Sequence, residues 1–494
     1  MENFTMMQFF EWYLPGGAGH WEHLKNEAQK LKQIGIDTVW LPPASKGAAG
    51  GYSVGYDVYD IYDLGEFDQK GSVATKYGSK QQLIDAVNAA HEAGLNVYVD
   101  IVLNHMGGGD ETERFTVKKV NPENREEFIS DSYEIEAFTK FTFPGRQGQY
   151  SQFVWDWQCF SGVDFDNSTG ETAIYSIQNQ YGDAWENVVG DENGNFDYLM
   201  FNDIEFRNPA VRDELKRWGK WYHDTIGFNG MRLDAVKHIS YDFFNDWLDY
   251  MRNETGQEFF TVGEYWSYDL PLLEQYIEAT GARMSLFDAP LHNNIHQASV
   301  QGNEYDLTKI FDNTLVAANP DKAVTLVENH DTQPLQSLTQ PVEAWFKPLA
   351  YALILLREKG YPCVFYADLY GASYTDKGDD GNEHNVNIAS VAELEALLYL
   401  RKHLTYGMQR DYFDHPNCIG WTREGDDEHD SSGCAVLLSN SEEGSKHMEI
   451  GVRHAGKIFV DYLGKHDAKI TVGDDGWAEF FVRAGSVSVW GVER

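Results

Sequence analysis

Cysteine is scarce in this sequence, and long apolar runs are missing. Among 494 residues there are four cysteines, none in a CxxC pair of the kind that binds metal or exchanges disulfides: Cys159, Cys363, Cys418 and Cys434. No stretch approaches about 18 uninterrupted apolar residues, so we expect no transmembrane helix. The N-terminal residues lack the basic and apolar segments of a secretion signal. We therefore expect a cytoplasmic protein with free thiols, with a mature secreted form as the alternative.

Basic residues are also under-represented. Asp and Glu total 78 against 39 Lys and Arg. Because nucleic acid and anionic membranes would repel such a chain, neither is an expected partner. The acidic excess is compatible with a neutral substrate or with bound cations, and equally with a solvated surface that keeps the protein soluble. The HExxH, Walker and Rossmann motifs do not occur. The sequence therefore gives no support for a zinc protease site, a P-loop nucleotide site or a dinucleotide-binding site.

Most of the chain alternates short apolar runs with amphipathic helical patterns such as Tyr241–Arg252 and Trp345–Arg357. The run Asn96–Leu103 is apolar nearly throughout, as strands buried on both faces are. The strand candidates are Met6–Trp12, Asp37–Leu41, Asn96–Leu103, Gly230–Val236, Phe259–Tyr265, Met284–Asp288, Ala323–Glu328 and Cys363–Ala367. Strands in this number, with helices between them, predict an α/β fold, the (β/α)8 or TIM barrel.

The alternation stops twice. Residues 104–207 are rich in Gly, Asn, Asp and aromatic residues without a sustained period, and a structureless loop of that length would be unusual. We predict an inserted β-rich domain (domain B) there, after the third strand. From residue 406 to residue 494 short strand patterns follow one another without a long helix, which predicts a C-terminal antiparallel β-sandwich (domain C). The barrel (domain A) then comprises residues 1–103 and 208–405.

Barrel enzymes carry their catalytic residues at the carboxyl ends of the strands. Four predicted strand ends hold acids, histidines or an arginine: Asp100–His105, Arg232–His238, Gly263–Trp266 and Glu328–Asp331. Breaking a glycosidic bond needs an acid that protonates the leaving oxygen and a group that stabilises the oxocarbenium-like carbon. His105 and His330 are candidate hydrogen-bond donors to sugar hydroxyls. Any one of these residues could be a helix cap or a structural ion pair, but their joint occurrence favours a glycoside hydrolase.

Three carboxylates are the candidates for catalysis. Asp234, placed mid-strand two residues after Arg232, should face the same side, and the guanidinium should keep it ionised, as a nucleophile requires. Glu264 is followed by two aromatic residues, and dry surroundings would raise its pKa, as a general acid requires. Asp331 would add negative charge near the developing cation.

A competing motif lies nearer the N-terminus. Gly51–Gly55 (GYSVG) fits the G-x-S-x-G nucleophile elbow of serine hydrolases. That elbow needs a strand before it and a helix after it, whereas the following residues alternate as a strand would. We therefore expect Ser53 not to be a nucleophile.

The strand-end segments together resemble the α-amylase family of glycoside hydrolases, family thirteen. DIVLNH at 100–105, GMRLDAVKH at 230–238, GEYW at 263–266 and ENHD at 328–331 occur in the family's order, and similarity extends over essentially the whole chain. Within the family the sequence is similar to bacterial liquefying-type and cytoplasmic α-amylases. The resemblance implies Asp234 as nucleophile, Glu264 as acid/base and Asp331 as transition-state stabiliser.

The resemblance also implies the residues that hold the sugar. Arg232, His105 and His330 correspond to contacts at the cleavage site, Tyr56 to its stacking platform, and Lys237 and His238 to contacts on the leaving-group side. The Lys-His pair is similar to that of α-amylases rather than oligo-1,6-glucosidases.

A calcium ion between domains A and B is implied as well. Its ligands would be Asn104, Asp197, Asp203 and the backbone carbonyl of His238, all oxygen donors of the kind calcium prefers. Turn and cap chemistry is the alternative reading of these residues. Secreted liquefying relatives carry further aspartates where this chain has Ser161 and Glu186, so we do not count on a second or third cation.

We expect retaining endo-hydrolysis of α-1,4-glucosidic bonds in starch, glycogen or maltodextrins, by a monomeric enzyme. Within the family a transglycosylase or debranching enzyme is the rival. A non-catalytic carbohydrate-binding or scaffold protein on the same fold is the rival from another class, although such proteins typically lack the carboxylate set that this chain retains.

Overall fold

The structure, a computed structural model, describes residues 3–493. Its first part contains two helices among short strands: β1 (Met6–Gln8), α1 (His20–Ile34), β2 (Thr38–Trp40), β3 (Lys46–Gly47), β4 (Val58–Asp60), α2 (Lys80–Glu92) and β5 (Asn96–Ile101). Helix α1 ends at Gly35, whose φ of 107° is left-handed. Helix α2 begins with a capping box between Ser79 and Gln82.

The inserted segment is built from antiparallel strands: β6 (His105–Met106), β7 (Glu111–Asn121), β8 (Asn124–Phe128), β9 (Tyr133–Lys140), β10 (Phe160–Asp166), β11 (Glu171–Ile177) and β12 (Asn202–Ile204). They form one sheet in the order β6-β12-β10-β11-β7-β8, with β9 paired to β7. Because β6 directly follows β5 and β12 directly precedes the next helix, the sheet projects from one end of the barrel.

The alternation then resumes with α3 (Pro209–Ile226), β13 (Gly230–Leu233), α4 (Tyr241–Thr255), β14 (Phe260–Gly263), α5 (Leu270–Ala279), β15 (Ser285–Phe287), α6 (Ala289–Gln301), α7 (Leu315–Ala318), β16 (Ala323–Leu326), α8 (Lys347–Leu355), β17 (Tyr361–Phe365) and α9 (Tyr366–Tyr370). A hairpin, β18 (Ala372–Lys377) with β19 (Glu383–Ile388), precedes α10 (Leu394–His403). Asn208 caps α3, and Pro209 occupies its first turn, as the sequence predicts.

The C-terminal segment is all β: β20 (Gln409–Tyr412), β21 (Cys418–Arg423), β22 (Cys434–Ser439), β23 (Gly444–Glu449), β24 (Ile458–Asp461), β25 (Ile470–Thr471), β26 (Trp477–Val482) and β27 (Ser486–Val492). One sheet has the order β20-β21-β22-β27-β24-β25, and β23 pairs with β26 in a second. Residues of both sheets share a buried core that includes Leu437, Phe459, Phe480 and Trp490.

The predicted (β/α)8 barrel is confirmed. Strands β1, β2, β5, β13, β14, β15, β16 and β17 close into a barrel in which every neighbouring pair is parallel. Its interior holds buried, inward-facing side chains such as Trp40, Tyr98 and Val262. The predicted domain boundaries at 103/104, 207/208 and 405/406 lie between elements and stay predictions. None of the helices within residues 3–493 combines the length and the apolar character that crossing a membrane requires.

Several predicted strands are too long at their carboxyl ends. Strand β13 ends at Leu233 rather than Val236, because the chain turns at Ala235, whose φ of 49° is left-handed. Asp234 is therefore not mid-strand but the first residue of that turn, with its amide bonded to the carbonyl of Ile101 at 3.0 Å. Strand β14 likewise ends at Gly263, which leaves Glu264 in the following turn.

Candidate active site

A cleft of about 780 Å³ opens at the carboxyl ends of the barrel strands. Its lining contains eight of the predicted site residues: Tyr56, His105, Asp234, Lys237, His238, Glu264, His330 and Asp331. The volume lies within the usual range for ligand sites, roughly 300–1,000 Å³. The strand-end residues that the sequence singles out are therefore brought to one cavity.

Arg232 lies beneath the cleft and joins its carboxylates. The side chain is 1% exposed, and Nη1 donates to Asp234 Oδ1 at 2.6 Å and to Asp100 Oδ1 at 2.8 Å. Nη2 donates to Glu264 Oε2 at 2.8 Å. Asp100, Asp234, Glu264 and Asp331, the catalytic cluster, thus surround a single guanidinium, and three of the four bind it directly.

Burial raises the pKa of Glu264, as the sequence predicts, with Asp331 adding to the effect and Arg232 opposing it. The matching prediction for Asp234 is wrong in direction. Burial raises its pKa well above the usual 3.8, and the charges of Glu264, Asp100 and Asp331 add to the rise that Arg232 opposes. One guanidinium cannot hold several buried carboxylates ionised at once, so the cluster retains protons more readily than isolated acids do.

Asp100 begins one of the four strand-end segments, but the sequence analysis gave it no role of its own. It is buried on β5, and it accepts from Tyr56 Oη at 2.8 Å and from Trp40 Nε1 at 3.1 Å besides Arg232. A carboxylate inside an otherwise apolar strand was the available signal, since an acid there must have partners. Through these contacts Asp100 fixes both the arginine and the ring of Tyr56.

His330 is held as a neutral hydrogen-bond donor. Burial, assisted by Arg232, lowers its pKa to about 3. The Gln8 amide nitrogen, which can only donate, lies 3.0 Å from Nδ1, so the ring proton resides on Nε2. Nε2 lies 3.3 Å from Asp331 Oδ2. A neutral donor beside Asp331 is thus available to a ligand hydroxyl.

Parallel rings form one wall of the cleft. The rings of Trp12, Tyr56 and His330 are parallel within 8°, with centroids 5.0–6.1 Å apart. The carbonyl of Tyr56 also accepts from His105 Nε2 at 2.7 Å. Trp12 was not predicted as a site residue, because it lay at the end of the predicted strand Met6–Trp12, whereas the structure ends that strand at Gln8. Flat aromatic surface of this kind suits the apolar face of a sugar.

Lys237 and His238 also line the cleft. Lys237 Nζ contacts Glu192 Oε2 at 2.8 Å and the carbonyl of Trp266 at 3.3 Å. His238 Nδ1 donates to the carbonyl of Phe196 at 2.6 Å, and burial lowers the pKa of His238 to about 3. The lysine therefore provides a partly exposed cation at the rim of the cleft, and the histidine a neutral ring.

Ser53 directly follows the 3-10 turn Gly50–Tyr52. Its hydroxyl donates to Asp57 Oδ1 within a turn, and the short strand β4 rather than a helix follows. The geometry of a nucleophile elbow is therefore missing from this segment.

The predicted calcium ligands lie at the junction between the barrel and the inserted sheet. Asn104 Nδ2 lies 3.4 Å from Asp203 Oδ1, and Asp203 Oδ2 accepts from Ser161 Oγ at 2.5 Å. Asn104 Oδ1 is buried without a hydrogen-bond partner. The Asp197 carboxylate accepts from the amide of Glu186 at 3.0 Å.

Four buried carboxylates meet at this junction, and we name Glu186, Asp197, Asp203 and Glu205 the junction cluster. Burial raises the pKa of Asp197 to about 7 and those of Glu186 and Asp203 well above their usual values, and neighbouring acids add to the rise in all three. Only Glu205 has a close guanidinium, that of Arg207 at 2.6 Å.

Within residues 3–493 no group of three His, Cys, Asp or Glu side chains lies close enough to hold a metal unaided. The predicted calcium ligands, however, include only two such side chains, together with the amide of Asn104 and the carbonyl of His238. The orphaned amide oxygen and the uncompensated acids fit a cation.

Comparison with known proteins decides the family. The family description "Alpha amylase, catalytic domain" matches residues 8–397, and "Alpha-amylase C-terminal" matches residues 434–491. The chain belongs to the α-amylase family. It is 51% identical to an α-amylase of Geobacillus stearothermophilus over 99% of this chain and 87% of the relative. It is 48% identical to the cytoplasmic α-amylase of Escherichia coli over the full length of both.

Solved structures agree on the fold of this α-amylase family member. The α-amylase of Geobacillus thermoleovorans, crystallised with acarbose, superposes with a TM-score of 0.64 at 19% identity and covers 100% of this chain and 96% of its own. An Anoxybacillus α-amylase gives the same TM-score at 18% identity, over 99% of this chain and 97% of its own.

Proposed function

We propose that this protein hydrolyses internal α-1,4-glucosidic bonds of starch, glycogen or maltodextrins with retention at the anomeric carbon. The observation that carries the proposal is the single guanidinium of Arg232 bound to both Asp234 and Glu264 at the floor of an open cleft. The α-amylase names of relatives about 50% identical over nearly the whole chain support the same activity.

The roles follow from the contacts. Asp234 uses Oδ1 to bind Arg232, which leaves Oδ2 to attack the anomeric carbon. Glu264 holds Arg232 and the amide of Ala235 with Oε2, so Oε1 carries the proton that the leaving oxygen takes. Water then attacks the glycosyl ester, Glu264 accepts its proton, and Asp234 leaves. Asp331 stabilises the positive charge that develops on the sugar in both steps.

Retention also has a geometric requirement. Retaining glycosidases hold their two carboxyl groups about 5–5.5 Å apart, whereas inverting enzymes leave room for a water molecule between them. Attachment of both carboxylates to the two ends of one guanidinium supports the closer arrangement.

Carboxylate variants and product anomers test the proposal. Asp234→Asn and Glu264→Gln should each lower kcat on amylose by several orders of magnitude, because each removes a group that makes or breaks a covalent bond. Glu192→Gln is the matched control, since that acid lies in the same cleft on the exposed side of Lys237 and should keep most of the activity. Initial release of the β-anomer, seen by NMR, would refute retention of the α-configuration.

Two rival functions are distinguished by substrate. A debranching enzyme would prefer pullulan to amylose, and a transglycosylase would lengthen maltodextrins rather than shorten them. A non-catalytic binding protein would show no turnover of either substrate. The Lys237–His238 pair on the leaving-group side supports the amylase assignment.

We also propose one calcium ion held by Asn104, Asp197, Asp203 and the carbonyl of His238. The ion would neutralise the junction cluster and so join the inserted domain to the barrel. Calcium should raise the melting temperature of chelator-treated enzyme, and Asn104→Ala should reduce that gain while folding normally without calcium. Equal gains from calcium in both proteins would contradict the ligand set.

A cytoplasmic location is proposed on two grounds. The four cysteines are unpaired thiols, which suits a reducing compartment, and one relative aligned over its full length is named a cytoplasmic enzyme. Fractionation of the native cells with an activity assay tests it. That the protein is a monomer stays a prediction, which sedimentation can test.

A further inference from the structure

Tyr52 presents a bare aromatic ring at the rim of the cleft. It is 88% exposed, the highest value among the large hydrophobic residues that the structure describes, and it belongs to the cleft lining. Single exposed hydrophobic residues are common and need no explanation by themselves. The placement of this one needs an explanation, because the ring borders the cavity in which the catalytic carboxylates lie.

The backbone below the ring is fixed. Tyr52 ends a 3-10 turn, Gly50–Tyr52, in which Gly50 has a φ of 61° and lies so close to the carbonyl of Lys70 that a Cβ would meet it at 2.1 Å. Asp57 ties the two ends of the loop together, since its carboxylate accepts from the amide of Ala49 at 2.8 Å and from the hydroxyl of Ser53. The ring is therefore carried on a rigid support.

Tyr52 lines the same cleft as the aromatic wall. Tyr56 lies four residues further along the same loop, and its ring is parallel to those of Trp12 and His330 in the wall of the cleft. On the side of the inserted domain, Met200 lines the same cleft and is 40% exposed. An apolar rim outside the polar floor matches a glucan, whose ring faces are apolar and whose edges are hydroxylated.

We propose that Tyr52 is an outer binding platform on which a glucose unit of the α-1,4-glucan stacks, several units away from the bond that is cut. Because the ring takes part in binding only when the chain is long enough to reach it, Tyr52 sets the preference for longer substrates. The inference rests on the proposed glucan hydrolysis and adds a residue that determines chain length.

A series of malto-oligosaccharides from maltotriose to maltooctaose tests this with wild type, Tyr52→Ala, Tyr52→Phe and, as control, Phe165→Ala. Phe165 is an exposed aromatic residue (41%) of the inserted domain that does not line the cleft. For Tyr52→Ala we expect kcat/KM to fall about fivefold to tenfold on the longest substrates, the equivalent of about 1–1.4 kcal/mol, and to stay unchanged on the shortest. Tyr52→Phe and Phe165→Ala should match the wild type throughout.

Different outcomes would contradict the platform, the stacking and the hydrolysis itself. A loss for Tyr52→Ala that is the same at every length, or no loss at any length, overturns the platform. An equal loss for Tyr52→Phe overturns stacking, because the phenylalanine keeps the ring. A wild type inactive on every oligosaccharide would instead refute the proposed hydrolysis. Unchanged melting temperatures exclude misfolding as the cause, as expected for a residue so exposed.

Discussion

Replacing Arg232 with lysine tests the central electrostatic feature of the site. The guanidinium makes three hydrogen bonds, to Asp100, Asp234 and Glu264, from a side chain that is 1% exposed. Lysine keeps the charge but offers one compact ammonium in place of a planar fork, so it cannot reach all three carboxylates from that position. We expect the variant to fold, with at least one carboxylate released.

The size of the effect follows from the bonds that are lost. A hydrogen bond to a charged group contributes about 1.5–3 kcal/mol. Losing one or two such bonds to the nucleophile or the acid should raise the barrier by about 3 kcal/mol, a fall in kcat/KM on the order of 10²-fold. Because Arg232 lowers the pKa of Asp234 against the effect of burial, weakening its contact should raise that pKa further. The nucleophile would then lose its charge at a higher pH, and the acid limb of the activity profile should move upward.

The assay is kcat/KM on maltodextrin as a function of pH, with circular dichroism to confirm folding. Arg212→Lys is the control, because Arg212 pairs with Asp246 at 3.1 Å on the outer helices, where both side chains are partly exposed. The reasoning is refuted if Arg232→Lys retains activity within about threefold of wild type with an unmoved acid limb, since such a result lies far below the loss expected for one charged hydrogen bond.

Three further predictions concern groups around the site. Lys347→Met should lower the free energy of unfolding by about 3–5 kcal/mol in urea titrations, because it leaves the buried carboxylates of Glu328 and Asp368 without their cation. As a control, Lys309→Met removes an exposed lysine and should change that free energy by less than about 1 kcal/mol. Tyr56→Phe should cut kcat/KM about tenfold through the lost 2.8 Å bond to Asp100, a loss of about 1.4 kcal/mol; no change would exclude a positioning role for that hydroxyl. Burial lowers the pKa of His20 from 6.5 to about 3. Below pH 6.5 the unfolded chain therefore binds a proton at His20 that the folded protein does not bind, so the stability of the fold decreases as the pH drops from 6.5 towards 3. His20→Gln should therefore flatten the acid side of the stability profile, and an equally steep profile would contradict the burial argument.

The order of elements could be predicted from the sequence because each barrel strand is an apolar run between amphipathic helices. The same pattern could not predict strands made mainly of polar residues. Strand β20, Gln409–Tyr412, and the hairpin β18–β19 carry little apolar residue content, and their pairing is set by neighbouring segments rather than by their own pattern. Such strands are visible only once the sheet they join is known.

The candidate site, like the fold, could be predicted from the sequence only in part. The motifs identified the strand-end residues because acids and histidines occur together at four strand ends, although each alone could be a cap or a structural ion pair. The upward shift of the pKa of Asp234 could not be read from sequence neighbours, because it results from burial together with charges from four different strands. Asp100 lies on β5, opposite Arg232 on the neighbouring strand β13. It therefore joins the catalytic cluster only because these two strands pair in the barrel.

Comparison of the two acidic clusters indicates how charge is balanced in this protein. Each gathers four carboxylates near one guanidinium: Arg232 binds three of those in the catalytic cluster, whereas Arg207 binds only Glu205 in the junction cluster. In the first, the excess negative charge would serve the proposed mechanism, because it allows one carboxyl group to hold a proton while another stays bound to the arginine. In the second no group reacts, and Arg207 serves Glu205 alone, so protons or a cation must neutralise the remaining acids. The proposed calcium ion would do this at neutral pH without titration, and its removal should then weaken the junction while leaving the protonation of the catalytic cluster unchanged.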